Sequence, residues 1–496
     1  MNSASIPLDR PPSRVLQLGL IVTVAPVLSF IMFWKPVLAP AAIILLAVTV
    51  FIAVDYRRGI LLTLFFSPLV STGIIKIGFN LTITQILLLI TVSLFIVHIV
   101  LYRDFLQLSP IDAPFIILGF VVLITSLIDY PSIPAVTGIV GATGLNAPEA
   151  RSFVHLAFLV LLFGFYFLIV QYGSSYARVN QLLNTYFISS SLVALYGIYQ
   201  FVGSYLGFPF TDINQMRTQE PFVGSFKRID STFPEPSLLS VFLMVSLILL
   251  IALLSQKRFC KSIIMPAIII HTMALWMSFA RTGWITFVVA LGFLLIISYK
   301  SAGATRLFMR LAFLGIVFYF FLGAVLSVFP SDVVNTSYAS ASNRLVSVTS
   351  DDEKHRFGYY KAALNMFDEK PLTGVGFENF TFYYDSRKPN WAPYFPSISD
   401  AHNLYLQIVA ESGLMGAAAF MLWAIAYTIT IIKTLRMVKT QGVRCLANGC
   451  AAASLGLALA FFNMQNVYVP FVWFLLALTM ISFHLAKNEY QEENIH

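Results

Sequence analysis

The chain has 496 residues, of which 58% are apolar and 11% charged, whereas an ordinary soluble domain is about 45–50% apolar and about 25% charged. That balance excludes a disordered chain, a disulfide scaffold and a nucleic-acid binder. The net charge of +8 then reads as basic residues collected in the loops of a polytopic membrane protein, and the 45 Phe and 22 Tyr suit a hydrocarbon core and its interfaces.

A membrane span takes about 20 apolar residues. Apolar stretches near 15–34, 37–54, 60–77, 82–102, 111–129, 153–171, 182–205, 237–255, 262–280, 284–299, 307–329, 414–432, 447–464 and 467–485 predict about fourteen spans and an all-α membrane bundle. The stretch 60–77 is the weakest, with Pro68 and Lys76 inside it, and only Asn463-Met464-Gln465-Asn466 splits the last two. The first stretch is longer than a signal-peptide apolar region, and Pro40 spoils the nearest small-residue cleavage site. It reads as an uncleaved signal anchor. No internal repeat is visible, which argues against a repeat-built transporter.

Starting from an inside N-terminus, the inside connections gather Arg10, Arg14, Arg57, Arg58, Lys257, Arg258, Lys433, Arg436, Lys439 and Arg444, among others. The short outside connections hold fewer than half as many basic residues, and a long loop is exempt from the rule. Both termini are thus predicted in the cytoplasm, with the long loop 330–413 periplasmic or extracellular. Cys260, Cys445 and Cys450 fall at or near the cytoplasmic face, so no disulfide framework is expected. Charges inside the spans are scarce. His98, His155 and His271 are the main ionisable exceptions and read as satisfied bundle or interface histidines.

Function should therefore lie in the outside segments 207–236 and 330–413. In the long loop, Ser350 and Glu353 form a capping box, and Phe357, Tyr360, Leu364 and Phe367 repeat at helical spacing until Pro371. This predicts an amphipathic helix over about 351–369 that lies on the bundle or in the lipid interface. The cap accounts for Asp351 and Asp352 better than a metal-binding pair does. Gly374-Val375-Gly376 lacks the Lys and Ser/Thr of a phosphate loop and reads as a tight turn. Trp391, Tyr394 and Phe395 could stack on sugar faces or anchor the loop at the headgroups. A helix starting near Asp400 would put His402 in its first turn, where the positive helix end favours a neutral imidazole and Asp400 opposes it. A neutral imidazole is what a general base needs.

His402-Asn403-Leu404-Tyr405-Leu406, followed by Glu411-Ser412-Gly413-Leu414-Met415-Gly416, resembles the signature of the O-antigen ligase and polymerase superfamily of membrane glycosyltransferases. The stretch from Arg356 through Pro371 to Gly374-Val375-Gly376-Phe377-Glu378-Asn379-Phe380 resembles what precedes that signature. Ser278-Phe279-Ala280-Arg281 resembles the arginine that follows an earlier span, and Arg228-Ile229-Asp230-Ser231-Thr232-Phe233-Pro234-Glu235-Pro236-Ser237 resembles an arginine-plus-turn segment. Together these cover about residues 220–430.

The resemblance implies an enzyme of the inner (cytoplasmic) membrane that takes a glycan from a polyprenyl (undecaprenyl) pyrophosphate at the outer face, without metal or other cofactor. It implies that His402 activates the acceptor hydroxyl and that Arg281, Arg228 and, more weakly, Arg356 hold the pyrophosphate. Glu235, Asn403 and Trp391 are candidate glycan or acceptor contacts, although Glu235 also suits a helix N-cap. The partners implied are the membrane, a glycan or lipid acceptor and polysaccharide assembly proteins. The division expected is 1–206 as N-terminal spans, 207–432 as the ligase-like core and 433–496 as the C-terminal spans and tail. Glu235-Pro236-Ser237, where many members have Pro-Asn, resembles capsule and exopolysaccharide polymerases and favours polymerase over ligase. A lipid-linked oligosaccharide flippase would line a cavity with charges inside the spans, which this chain scarcely has. A non-catalytic assembly scaffold would need none of the external Arg/His set.

Overall fold

The computed structural model describes residues 39–71, 74–76, 80–102, 106–129, 147–213, 222–223, 226–254, 261–299, 351–392 and 400–493. The expected spans 15–34 and 307–329, together with Ser350, Cys260 and residues 393–399, lie outside them. Within the described residues the chain is helical apart from two short antiparallel ribbons, and nine helices are long and apolar enough to cross a membrane. The protein is a multi-pass membrane helix bundle.

In chain order the elements are α1 (Ala39–Val54), α2 (Tyr56–Phe66), the ribbon β1 (Ile74–Lys76) and β2 (Asn80–Thr82), α3 (Ile83–Tyr102), α4 (Asp112–Asp129), α5 (Pro148–Tyr172) and α6 (Tyr176–Leu206). Then follow the ribbon β3 (Phe222–Val223) and β4 (Phe226–Lys227), α7 (Pro236–Leu253), α8 (Lys261–Met277) and α9 (Arg281–Ser298). After them come α10 (Asp351–Glu369), the short α11 (Phe380–Arg387), α12 (Leu404–Met437), α13 (Gln441–Ala460) and α14 (Pro470–Glu493). β1 pairs with β2 in the register Ile75 to Leu81, and β3 with β4 in the register Val223 to Phe226.

Helix α7 is the axis of the bundle. It is apolar all round and every residue in it is buried, as a helix without a polar face must be. It packs against α13, α9 and α8. Among membrane spans, association comes from close packing and satisfied polar groups rather than from the hydrophobic effect. Small residues supply that closeness here: a Cβ on Gly283 would come within 2.4 Å of Ser240 Cβ, and one on Gly456 within 2.8 Å of Met244 Sδ. The serines of α7 are spent internally. Ser240 Oγ donates to Ser237 O (2.6 Å), and Ser246 Oγ bonds both Phe242 O (2.9 Å) and the Tyr186 hydroxyl (2.8 Å). On the outside, Val100, Phe120, Val288, Ile296 and Met421 are exposed, the surface a bilayer would cover. His271 fits its expected part, bonded to Ala267 O (2.7 Å) and Ser190 Oγ (3.0 Å), and His98 is buried with its ring 4.9 Å from Tyr56.

The stretch 60–77 differs from a regular span. Helix α2 stops at Phe66, where Pro68 removes a backbone donor. The chain then turns, and Ser71 N and Oγ both donate to Thr232 O (2.9 and 2.8 Å) while Thr232 Oγ1 donates to Pro68 O (2.7 Å). The second half of the stretch thus anchors the segment before α7 instead of continuing through the bundle.

Hydrogen bonds sort the connections into two ends. One end gathers residues near 71, 129, 151, 232, 282, 378, 403 and 463. The other gathers residues near 107, 171, 298, 440, 448 and 489, with Ser109 Oγ bonded to His484 Nε2 (3.0 Å). Cys445 and Cys450 are buried and free toward this second end. The connections expected outside, where described, share the first end.

Candidate functional site at the helix-capped end

Two of the predicted arginines meet at the turn between α8 and α9. Arg228 is buried; its Nε donates to Ser278 O (3.4 Å), and Ile229 N donates to Met277 O (3.3 Å). Arg281 is the first residue of α9 and stands three residues past Ser278. The Arg228 segment is fixed from behind by Gln200, whose Oε1 accepts from Asp230 N (3.1 Å) and Ser231 N (2.9 Å) and whose Nε2 donates to Asp230 Oδ1 (2.6 Å). Glu235 is the N-cap residue of α7, and its carboxylate accepts from Ser237 Oγ (3.2 Å).

His402 does not sit in a helical first turn. Asn403 caps α12, its Oδ1 accepting from Leu406 N (3.1 Å), and His402 precedes that cap with φ +48°. The reason is competition between two short polar side chains: Asp400 Oδ1 takes the His402 N–H (2.7 Å), closing a turn, so the helix starts after it. Gln407 Oε1 holds Ala401 N (2.7 Å), and the imidazole lies against Tyr359 with ring centroids 5.2 Å apart. Asp400 Oδ1 is 3.5 Å from His402 Nδ1, and the imidazole side chain is 32% exposed, so it is oriented on one edge and accessible. Burial first, then the neighbouring Tyr384 and Asp400, hold the Tyr359 hydroxyl above its ordinary pKa, so this ring is a neutral wall.

The layer formed by α10 and α11 rests on a crossing of two backbones. Val375 N and Gly376 N donate to Ala410 O (3.0 Å) and Glu411 O (2.9 Å), while Leu414 N and Met415 N donate to Pro371 O (2.8 Å) and Leu372 O (3.2 Å). Gly374 (φ +69°) and Gly413 (φ +58°, ψ −156°) make this possible: a Cβ on Gly374 would come within 2.4 Å of Glu411 C, and one on Gly413 within 2.4 Å of Leu372 C. The tight-turn reading of Gly374-Val375-Gly376 agrees with this geometry. Helix α10 occupies its expected range, but its buried face is Tyr359, Ala362, Ala363 and Met366, packed against α12. Of the expected apolar stripe, Phe357 and Leu364 are exposed (58% and 42%), while Tyr360 packs partly buried against the same cluster.

A second cluster locks this layer to the bundle. Arg151 of α5 pairs with Glu378 (2.7 Å), the Tyr468 hydroxyl donates to the same carboxylate, and Phe380 N and Gln407 Nε2 donate to Glu411 Oε1 (3.1 and 2.6 Å). Burial and the Glu378 carboxylate push the Tyr468 hydroxyl well above its ordinary range. Lys370 pairs with Asp129 at the end of α4.

Asn403, Arg356 and the start of α9 at Arg281 come together at one place, the turn after α13. Asn403 Nδ2 donates to Phe462 O (3.1 Å), Arg356 of α10 donates to the Asn463 carboxamide, and that carboxamide donates to Thr282, next to Arg281. His402, Arg356, Arg281 and Arg228 therefore approach one region from four different segments. Trp391 is apart from this convergence, 60% exposed beside Gly358. Sequence reasoning passed over Asn463 as a mere polar break, and it passed over Arg151, Glu378 and Tyr468. All five non-glycine residues with positive φ among the described residues, Phe210, Ser231, Phe279, Glu378 and His402, lie at this end. Such strain gathers where surrounding structure imposes a functional conformation.

The family model described as O-antigen ligase matches residues 266–421. The matched stretch holds Arg281, Arg356, Trp391, His402 and Asn403, whereas Arg228 and Glu235 precede it. No curated protein matches the chain. The match supports the O-antigen ligase/polymerase superfamily of membrane glycosyltransferases.

Proposed function

We propose that this O-antigen ligase-type membrane protein moves a glycan from a polyprenyl pyrophosphate carrier to a sugar hydroxyl at the outer face of the cytoplasmic membrane, lengthening the repeat units of a cell-surface or exopolysaccharide. The observation that carries the reading is the approach of His402, Arg228, Arg281 and Arg356 to one bundle end under an external helical layer. Both termini are then cytoplasmic and the layer is external, in keeping with the bias of basic residues.

The acceptor oxygen attacks the anomeric carbon, the carbon–oxygen bond to the pyrophosphate breaks, and the acceptor proton passes to His402. Asp400 Oδ1, 3.5 Å from Nδ1, orients the imidazole on one edge. The leaving group is already good and needs its gathering charge held. Guanidinium forks do this through paired N–H donors in a partly dry site, and here they take the place of a metal ion.

Purified protein in proteoliposomes with a lipid-pyrophosphate-linked repeat unit tests the reading. His402→Ala should lose about 10²–10⁴ in kcat. Arg281→Lys keeps the charge but not the fork and should still lose about 10²–10³, the cost of removing one transition-state donor. Near-normal turnover by Arg281→Lys would refute the pyrophosphate role.

The second reading is a ligase that passes the finished glycan to lipid A core or another acceptor. The description of the matched family favours it. The polymerase reading rests on Glu235-Pro236-Ser237 before α7.

A further inference from the structure

The turn that follows α13 lies beyond the matched domain, yet it bonds to α10, to the cap of α12 and to the start of α9. Leu404 N is shared between Phe461 O (2.9 Å) and Met464 O (3.2 Å). Phe462 O accepts from Asn403 Nδ2 (3.1 Å) and from the Tyr360 hydroxyl (3.3 Å). The Tyr405 ring stands 4.6 Å from that of Phe462, and its hydroxyl donates to Ala458 O (2.7 Å). From this fixed turn, closed by Asn463 N donating to Ala460 O (2.8 Å), the Asn463 side chain reaches in two directions. Its Oδ1 accepts from Arg356 Nη1, and its Nδ2 donates to Thr282 Oγ1 in the first turn of α9.

A carboxamide is suited to this place for a chemical reason. It offers an acceptor and a donor at once, so it can join a guanidinium to a hydroxyl. A neutral acceptor takes one guanidinium N–H and leaves the positive charge intact, whereas a carboxylate would neutralise it. We propose that Asn463 is a positioning residue for the lipid-linked pyrophosphate, tying Arg356 of the external helix α10 to the start of α9 beside Arg281. The inference rests on the pyrophosphate-donor reading above. Without the tie, α10 stays packed on α12 but the Arg356 guanidinium loses its hold on the start of α9, so donor binding weakens while the chemistry at His402 persists.

The test is steady-state kinetics in proteoliposomes on Asn463→Leu, Asn463→Asp, Thr282→Val, Arg356→Ala and the Asn463→Leu/Arg356→Ala double variant. Losing a hydrogen bond to a charged group should raise the donor KM of Asn463→Leu about tenfold with kcat nearly unchanged. The double variant should be no worse than Arg356→Ala alone, because both changes remove one interaction. Asn463→Asp, close to isosteric, should raise donor KM at least as much, since it neutralises Arg356. Thr282→Val should show a smaller rise of the same kind. If Asn463→Leu does not fold, Asn463→Asp and Thr282→Val decide. Unchanged donor KM in the folded variants, or effects of Asn463→Leu and Arg356→Ala that add independently, overturns the inference. If the wild type does not use the carrier-linked donor, or His402→Ala and Arg281→Lys turn it over normally, the functional reading falls and the inference with it. Loss in those two alone, with Asn463→Asp and Thr282→Val unaffected, overturns only the positioning role.

Discussion

At the scale of single residues, the site depends on backbone conformations that most side chains avoid. Gly413 combines φ +58° with ψ −156°, and its Cα faces the Leu372 carbonyl. Gly413→Ala should therefore cost more than about 3 kcal/mol, strain and clash together, and abolish detergent-extractable folded protein on size-exclusion chromatography. Normal yield and thermal stability would contradict the crossing of the two backbones. His402 is the other strained residue of consequence. Its identity as a candidate was legible in the sequence through the motif around it, but its conformation was not. Asp400 and Asn403 are both good caps, and which one starts the helix depends on Asp400 engaging the His402 N–H instead. Asn463 was illegible for a different reason: its partners lie 107 and 181 residues away, and no local pattern encodes them.

At the scale of elements, long apolar periodicity located the spans, and Glu353 with Pro371 marked the range of α10. The spacing left open whether the stripe of α10 faces the bundle or the lipid interface. Beside a membrane the large residues Phe357 and Leu364 can face outward, while the small Ala362 and Ala363 let α10 approach α12. The stretch 60–77 was read as a span because composition alone does not show that Pro68 ends α2 and hands the chain to Thr232. The Arg151–Glu378 pair joins span α5 to the layer of α10 and α11, with Glu378 buried and Arg151 11% exposed. Glu378→Ala leaves Arg151 an uncompensated buried charge and should cost about 3–5 kcal/mol, read as a lower melting temperature in detergent. An unchanged melting temperature would mean that the layer is held by its backbone crossing alone.

At the scale of the whole molecule, the bundle separates duties between its ends. One end carries α10, α11 and the convergent Arg/His set; the other carries the turns before α6 and α13 and the end of α14. The assigned orientation predicts that Asp385→Cys, at an exposed site on α11, reacts with a membrane-impermeant thiol reagent in intact cells. Gln491→Cys, exposed near the end of α14, should react only after permeabilisation. The reverse pattern would invert the topology and place the site in the cytoplasm. The sequence carried the membrane class and the loop bias openly, since both are compositional. The convergence of α10, the cap of α12 and the start of α9 on one turn is a property of the folded bundle and no stretch of sequence states it.

The most direct measurement is mass spectrometry of carrier-linked glycans in the host with and without the gene. The account predicts that single repeat units accumulate on the polyprenyl carrier when the gene is deleted, and that His402→Ala fails to clear them. Long chains held on the carrier would move the assignment to the ligase reading. A carrier pool unchanged by deletion, with normal surface polysaccharide, would contradict glycan transfer by this protein.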